Sequence, residues 1–227
     1  MKLALIALSF IFLCYIPSNA VAKSKSDVPE YTVEGLKLIP DTKDMALVWA
    51  EPGATLSQYQ RVYLVEPYVA FKKNWQRDQN RGMLRVSGSD MERIKENVKK
   101  LFIEVFTEEL KKGGYTLANE RAEDVLIVKP AVINLDVNAP DLRSAGRSTS
   151  FVSSAGSMTL YVELYDSETD DLIAKAMDAK ADRDNGHMQW QTGPANRAAG
   201  IRMMRPWAEA LVNGLNEAHK ATKEVDE

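Results

Sequence analysis

Five basic side chains crowd one short stretch of the chain: Lys72, Lys73, Arg77, Arg81 and Arg85, with Asp78 the only acid and Trp75 among them. Cations beside an aromatic ring suit an anionic partner, such as lipid headgroups, an acidic glycan or the acidic surface of another protein. The same mixture suits single-stranded nucleic acid, but the whole chain carries a net charge of −3, so bulk attraction to nucleic acid is not expected. Asp166, Glu168, Asp170 and Asp171 crowd a second stretch. Carboxylates at alternate positions begin a calcium loop, whose glycine would fall on Asp171 and whose bidentate glutamate on Met177. The spacing therefore fits a solvated hairpin turn instead.

The usual catalytic groups are sparse. His187 and His219 have no partner at ligand spacing, and Ser153, Ser154 and Ser157 sit in no Gly-x-Ser-x-Gly elbow. No glycine loop that would cradle phosphate is present. Trp190 stands between Gln189 and Gln191, a pairing that serves either sugar contact or simple anchoring. These observations imply no metal, no cofactor and no catalytic residue. Carboxylates are plentiful, so a carboxylate pair acting on cell-wall glycan stays open as an alternative.

The elements that must hold these residues begin after an address. Lys2 precedes fourteen residues, 3–16, in which Ser9 is the clearly polar one, and Pro17 ends the run. Ala20-Val21-Ala22 then offers the small residues that a signal peptidase reads. The run falls short of the roughly 20 apolar residues of a spanning helix, so residues 1–22 are read as a signal peptide cleaved after Ala22. Cys14, the single cysteine, follows the bulky Ile11-Phe12-Leu13, a poor context for lipid attachment. The mature chain is then free of cysteine and suited to an oxidising periplasm. No second spanning stretch follows, which predicts no transmembrane segment in the mature chain.

With 45% hydrophobic and 27% charged residues among 227, the composition is that of a globular protein. Residues 23–34 read as a flexible N-terminal segment, 35–222 as one domain and 223–227 as a tail. A short apolar run at 46–49 ends at Glu51-Pro52-Gly53, and residues 62–71 read as a strand that Pro67 marks as an edge or a bulge. Residues 72–88 read as a long loop. A helix is predicted over 90–112, with Ser89 and Glu92 as its capping box. Ile94, Val98, Leu101 and Val105 supply the buried stripe, and Gly113-Gly114 the stop.

Val125 to Val128 reads as a buried run, and Ile133, Leu135 and Val137 alternate as in a strand with one wet face. After a loop at 141–157, Met158, Leu160, Val162 and Leu164 alternate with Thr159, Tyr161, Glu163 and Tyr165. A turn at 166–171 leads to a partner strand over 172–181. A last helix carries Trp207, Leu211, Leu215 and Ala218, with Pro206 in its first turn. The order predicts an α+β two-layer sandwich: a mainly antiparallel sheet with two main helices packed on one face.

Three stretches carry a family resemblance. They are Trp49-Ala50-Glu51-Pro52-Gly53 running into Leu56-Ser57-Gln58-Tyr59, then residues 62–71, and residues 162–174 with their Asp-x-x-Thr turn. Together they resemble the bacterial envelope family called domain of unknown function 3313, whose members are described as candidate lipoproteins. The resemblance implies an envelope location and brings no assigned catalytic residues; the acylated cysteine is not recognisable here. The expected role is that of a non-catalytic periplasmic accessory or interaction protein. Its partner would be an envelope protein or an anionic envelope component, met at the Lys72–Arg85 stretch or at the 141–157 loop.

Overall fold

A computed structural model describes residues 28–81, 85–138, 140, 150–152, 155–182, 189–191 and 193–225. Ten strands and three helices lie among them. In chain order they are β1 (Lys37–Leu38), β2 (Leu47–Ala50), β3 (Arg61–Leu64), β4 (Tyr68–Phe71), α1 (Trp75–Gln79), α2 (Gly88–Lys112) and β5 (Thr116–Leu117), then β6 (Val125–Val137), β7 (Ser150–Val152), β8 (Gly156–Asp166), β9 (Leu172–Ala181), β10 (Gln189–Gln191) and α3 (Gly193–Val225). Eight strands form one open sheet in the order β1-β2-β9-β8-β6-β3-β5, with β4 also paired to β6, while β7 and β10 form a separate ribbon. This is the expected α+β architecture. Residues 1–22, expected to be a leader, with Cys14, and also His187 and most of the stretch 141–157, lie outside the described residues.

The strand parity predicted for β8 holds. Met158, Leu160 and Leu164 are buried on the face that α2 and α3 cover. Thr159, Tyr161, Glu163 and Tyr165 point to the other face, because successive side chains of a strand alternate. The sheet, expected to be mainly antiparallel, is mixed: β1, β2, β9, β8 and β6 pair antiparallel, while β3 and β4 run parallel to β6 and β5 to β3. The expected strand over 62–71 is divided, since Val65-Glu66-Pro67 interrupts it. Conversely, the two segments expected on either side of Pro130 are one strand of 13 residues. The carbonyl of Val128 accepts the Val65 amide. By strand parity the backbone nitrogen of Pro130 points to the same side, into the gap between β3 and β4, where no partner needs its missing N–H.

Helix α2 begins two residues earlier than its sequence suggests. Ser87 is the N-cap: its Oγ accepts the Asp90 amide and the Asp90 carboxylate accepts the Ser87 amide, both at 3.1 Å. The reciprocal pair thus uses Asp90 rather than Glu92, which instead meets Lys95 at 2.8 Å. Gly114, at φ +89°, supplies the left-handed stop. The stretch 72–88, read as a loop, contains the short helix α1.

Helix α3 also starts earlier, at Gly193, so Pro194 occupies its first turn and Pro206 lies inside it. Burial decides this: Ala199, Met203 and Met204 carry the apolar stripe upstream of Pro206 and pack on α2. Trp190 belongs to strand β10 rather than to a loop and stands opposite Phe151.

Two clusters of buried side chains share the space between the layers. One gathers Phe102, Phe106, Trp207 and Leu160; the other gathers Tyr59, Leu110, Leu126 and Leu215. Half-buried Leu64, Val162 and Leu211 pack against both. Asp178 is the buried carboxylate that ties the layers together, accepting the Trp207 indole N–H at 2.8 Å and the Ala46 amide at 3.2 Å.

Candidate functional site on the uncovered sheet face

The five cations and the tryptophan of residues 72–85 do not form one surface. Lys72 lies just past β4, and its ammonium meets Asp136 at 2.9 Å, a contact that holds its pKa above the usual lysine value. Lys73 is exposed. Trp75 turns inward: it is 3% exposed, stacks on Phe71 at 4.2 Å between ring centroids, and donates its indole N–H to the Val137 carbonyl. It therefore anchors α1 and is closed to a stacking ligand. Arg77 and Arg81 both approach Asp78, at 3.5 and 3.4 Å, while Arg85 donates to the Asn80 carbonyl. What remains outside is a set of exposed cations around a short helix, without its aromatic.

The opposite face of the sheet brings together residues that the sequence keeps far apart. Strand register places them in transverse rows. Tyr68, Ala131, Tyr161, Met177 and Leu47 stand in one row across β4, β6, β8, β9 and β2. Lys129, Glu163, Lys175 and Trp49 form the next, and Tyr63, Ile127 and Tyr165 the third. Rows two residues apart along a strand are separated by about 6.6 Å. Two aromatic rows thus flank a charged one.

Residues 28–36 strap over one end of this face. The Trp49 indole N–H reaches the Pro29 carbonyl at 3.0 Å, and Glu34 reaches Lys175 at 2.6 Å. The remainder is open, with Tyr68 66% and Tyr63 38% exposed. At the far end, a bulge between Ile133 and Asp136, with Asn134 at φ 52°, leaves a hollow of about 370 Å³. Lys72, Asn134, Ser157 and Thr159 line it.

The charged row is fixed in place. Tyr161 and Tyr165 each donate a 2.7 Å hydrogen bond to the Glu163 carboxylate, and Lys175 stands 3.7 Å from it. Burial alone would raise the Glu163 pKa, but the two phenols and Lys175 outweigh it and hold the carboxyl below its usual range. Burial first, and then the Glu163 charge, push Tyr165 up to about 12 and raise Tyr161. Burial opposes the charge of Lys175, yet Glu34 and Tyr161 raise its pKa all the same. Lys129 lies over the Tyr165 ring at 5.6 Å. Each of these shifts moves its group away from neutrality, whereas a general acid or base works best with a pKa near the ambient pH. The arrangement is suited to holding a partner by ring contact and hydrogen bonds.

The acidic turn is structural. Asp166 accepts the amides of Glu168 and Thr169 and the Tyr59 hydroxyl, and Asp170 pairs with Arg121. Among the described residues, no group of three His, Cys, Asp or Glu side chains is placed to hold a metal. His219 bonds the Tyr59 carbonyl at 3.0 Å on the helix side. The sequence signal for the open face was present in β8, where Tyr161 and Tyr165 share one parity. Their assembly with Tyr63, Tyr68 and Lys129 depends on pairings that no local pattern reveals.

Fold and surface together define a two-layer α+β domain with one sheet face that no described helix covers. Residues 34–208 match the model of the family described as protein of unknown function (DUF3313), and the chain belongs to that family. No curated protein matches it. Similar solved structures include the PelC dodecamer from Paraburkholderia phytofirmans, at 11% identity over 72% of this chain and 95% of that one, TM-score 0.37. A DUF330 protein from Xanthomonas campestris is 13% identical over 77% and 93%, TM-score 0.39. A homolog of the neuraminyllactose-binding hemagglutinin from Helicobacter pylori is 12% identical over 74% and 91%, TM-score 0.37. Among the described residues, no helix is long and apolar enough to cross a membrane.

Proposed function

We propose that this protein is a non-catalytic interaction module of the bacterial cell envelope, exported by its leader, and that it meets a protein partner through the uncovered sheet face. The observation that carries this reading is the gathering of exposed apolar side chains there. Tyr63 and Tyr68 stand on that face, and Tyr31 and Val33 belong to the strap that crosses its end. Tyrosines around a fixed polar cluster give large contact area at low entropic cost. Two carboxylates of the sheet are engaged in holding the fold, Glu163 by its phenols and Asp178 by Trp207. The exposed cations Lys73, Arg77 and Arg81 form the second contact surface, for an acidic partner.

Photo-crosslinking in cells from position 68, compared with position 81 and with Lys111 on the outer side of α2, tests the surface. A discrete adduct from 68 and none from 111 is expected. An adduct from 81 alone would transfer the role to the cations, and none from either would remove it. The intact mass of the mature protein tests the location. A chain starting at Lys23 is expected; a lipid-modified chain starting at Cys14 would make it a membrane-anchored protein.

A further inference from the structure

On the helix side of the sheet, far from the tyrosines, a crevice of about 580 Å³ opens between α3 and strands β2, β9 and β8. Its volume falls in the range of small-ligand sites, roughly 300–1,000 Å³. Small residues on both walls create it: Ala50, Ala174 and Ala176 on the sheet, Ala210 and Gly214 on the helix. Val162 and Leu211 face this space and stay half-buried, although each packs against both core clusters.

Gly214 gives the crevice its meaning. Glycine inside a helix is less stable than alanine, so it needs a reason. Gly200 of the same helix has one, since a Cβ there would meet Leu101 Cδ2 at 2.6 Å. At Gly214 a Cβ would meet nothing within 4 Å, and the backbone is not left-handed. Neither packing nor conformation requires glycine at that point. The residue's effect is to keep an apolar space open, and such a space is poorly filled by water.

The mouth is acidic. Among the described residues that line it, Asp44 and Glu217 stand with Asp41 and Lys43, and Asn213 donates to Asp44 at 3.2 Å. We infer that the crevice binds a small amphiphile, with an alkyl body beside Gly214 and an amine end at Asp44 and Glu217. The site lies on the other face from the proposed protein contact, so either can fail without the other.

Calorimetric titration of the purified protein with octylamine, octanol and octanoate tests the inference. One saturable octylamine site per chain is expected, with octanoate binding at least fivefold more weakly. Gly214→Leu should weaken octylamine tenfold or more while the urea midpoint stays equal or rises. If that variant does not fold, Ala210→Leu is read in the same way. Asp44→Asn combined with Glu217→Gln should weaken octylamine several-fold and leave octanol unchanged. Absence of saturable octylamine binding, unchanged affinity in the filled variants, or octanoate binding as tightly as octylamine would each overturn it.

Discussion

Asp178 joins parts of the chain that are distant in sequence, Glu163 orders its own strand, and each carries a distinct expectation. Asp178 is 7% exposed and accepts from Trp207, Ala46 and, at 2.8 Å, Lys180. Asp178→Ala would leave the Trp207 indole N–H buried without an acceptor. A loss of about 3 kcal/mol in urea unfolding is expected, and a loss below about 1 kcal/mol would deny that the contact ties the layers. Glu163 governs how stability responds to pH. Its carboxyl is depressed in the folded state, so its contribution is present above the unfolded value, near 4.3, and is lost as pH falls through the folded value. Tyr165 is raised, so its contribution is present below about 10 and is lost as pH rises toward about 12. Glu163→Gln should therefore flatten both the acid and the alkaline arms of the stability profile, whereas Tyr165→Phe should flatten the alkaline arm and, by taking one of the two phenols from Glu163, weaken the acid arm by less than Glu163→Gln does. An acid arm of unchanged slope in Glu163→Gln would refute the linkage.

At the scale of elements, what could be read from sequence was what short-range chemistry determines. The stripe of α2, its glycine stop, the alternation of β8 and the 166–171 turn all follow from periodicity and backbone preference, and all stand in the structure. The cap of α2 was misplaced by two residues within its own turn, Ser87 with Asp90 taking the place of Ser89 with Glu92; the other misplaced features were decided by distant partners. Pro206 looked like a helix start because proline favours a first turn, but upstream Met203 and Met204 bury against α2 and extend the helix through it. The runs at 125–128 and 133–137 read as separate segments, yet one strand passes through Pro130, which sits opposite the gap between β3 and β4. Trp75 looked like a contact residue because its neighbours are charged, and Val137, 62 residues away, holds it inward. Pro206 leaves the Arg202 carbonyl without its helical donor. Pro206→Ala restores that donor and is expected to stabilise the protein by about 1 kcal/mol, less than the roughly 3 kcal/mol intrinsic difference, since the surrounding packing has already accommodated the ring. A destabilised variant would mean that the ring itself packs the half-buried face of α3.

For the molecule as a whole, the sheet has a stiff middle and short margins. β6 and β8 pair over most of their lengths and lie inside the sheet, whereas the margins are short: β1 and β5 have two residues each, and β4, paired to β6, has four. Such short edges leave little backbone free to recruit another strand, which directs contacts toward faces rather than edges. Local opening should follow the same gradient, because protection from hydrogen exchange tracks buried contacts and distance from an edge. Amides of Val128, Val132, Leu160 and Val162 are expected to exchange only through global unfolding, and those of β1 and β5 through local opening several kcal/mol below it. Tyr161, Glu163 and Tyr165 ride on the stiff strand, so a partner meets a surface that is already ordered and has little ordering entropy left to lose. Partner binding should then leave exchange in β6 and β8 unchanged while slowing it in the strap at 28–36, which lies at the edge of the contact. Slowing spread through β8 would show instead that the face is assembled by its partner, and the argument from pre-organisation would fall.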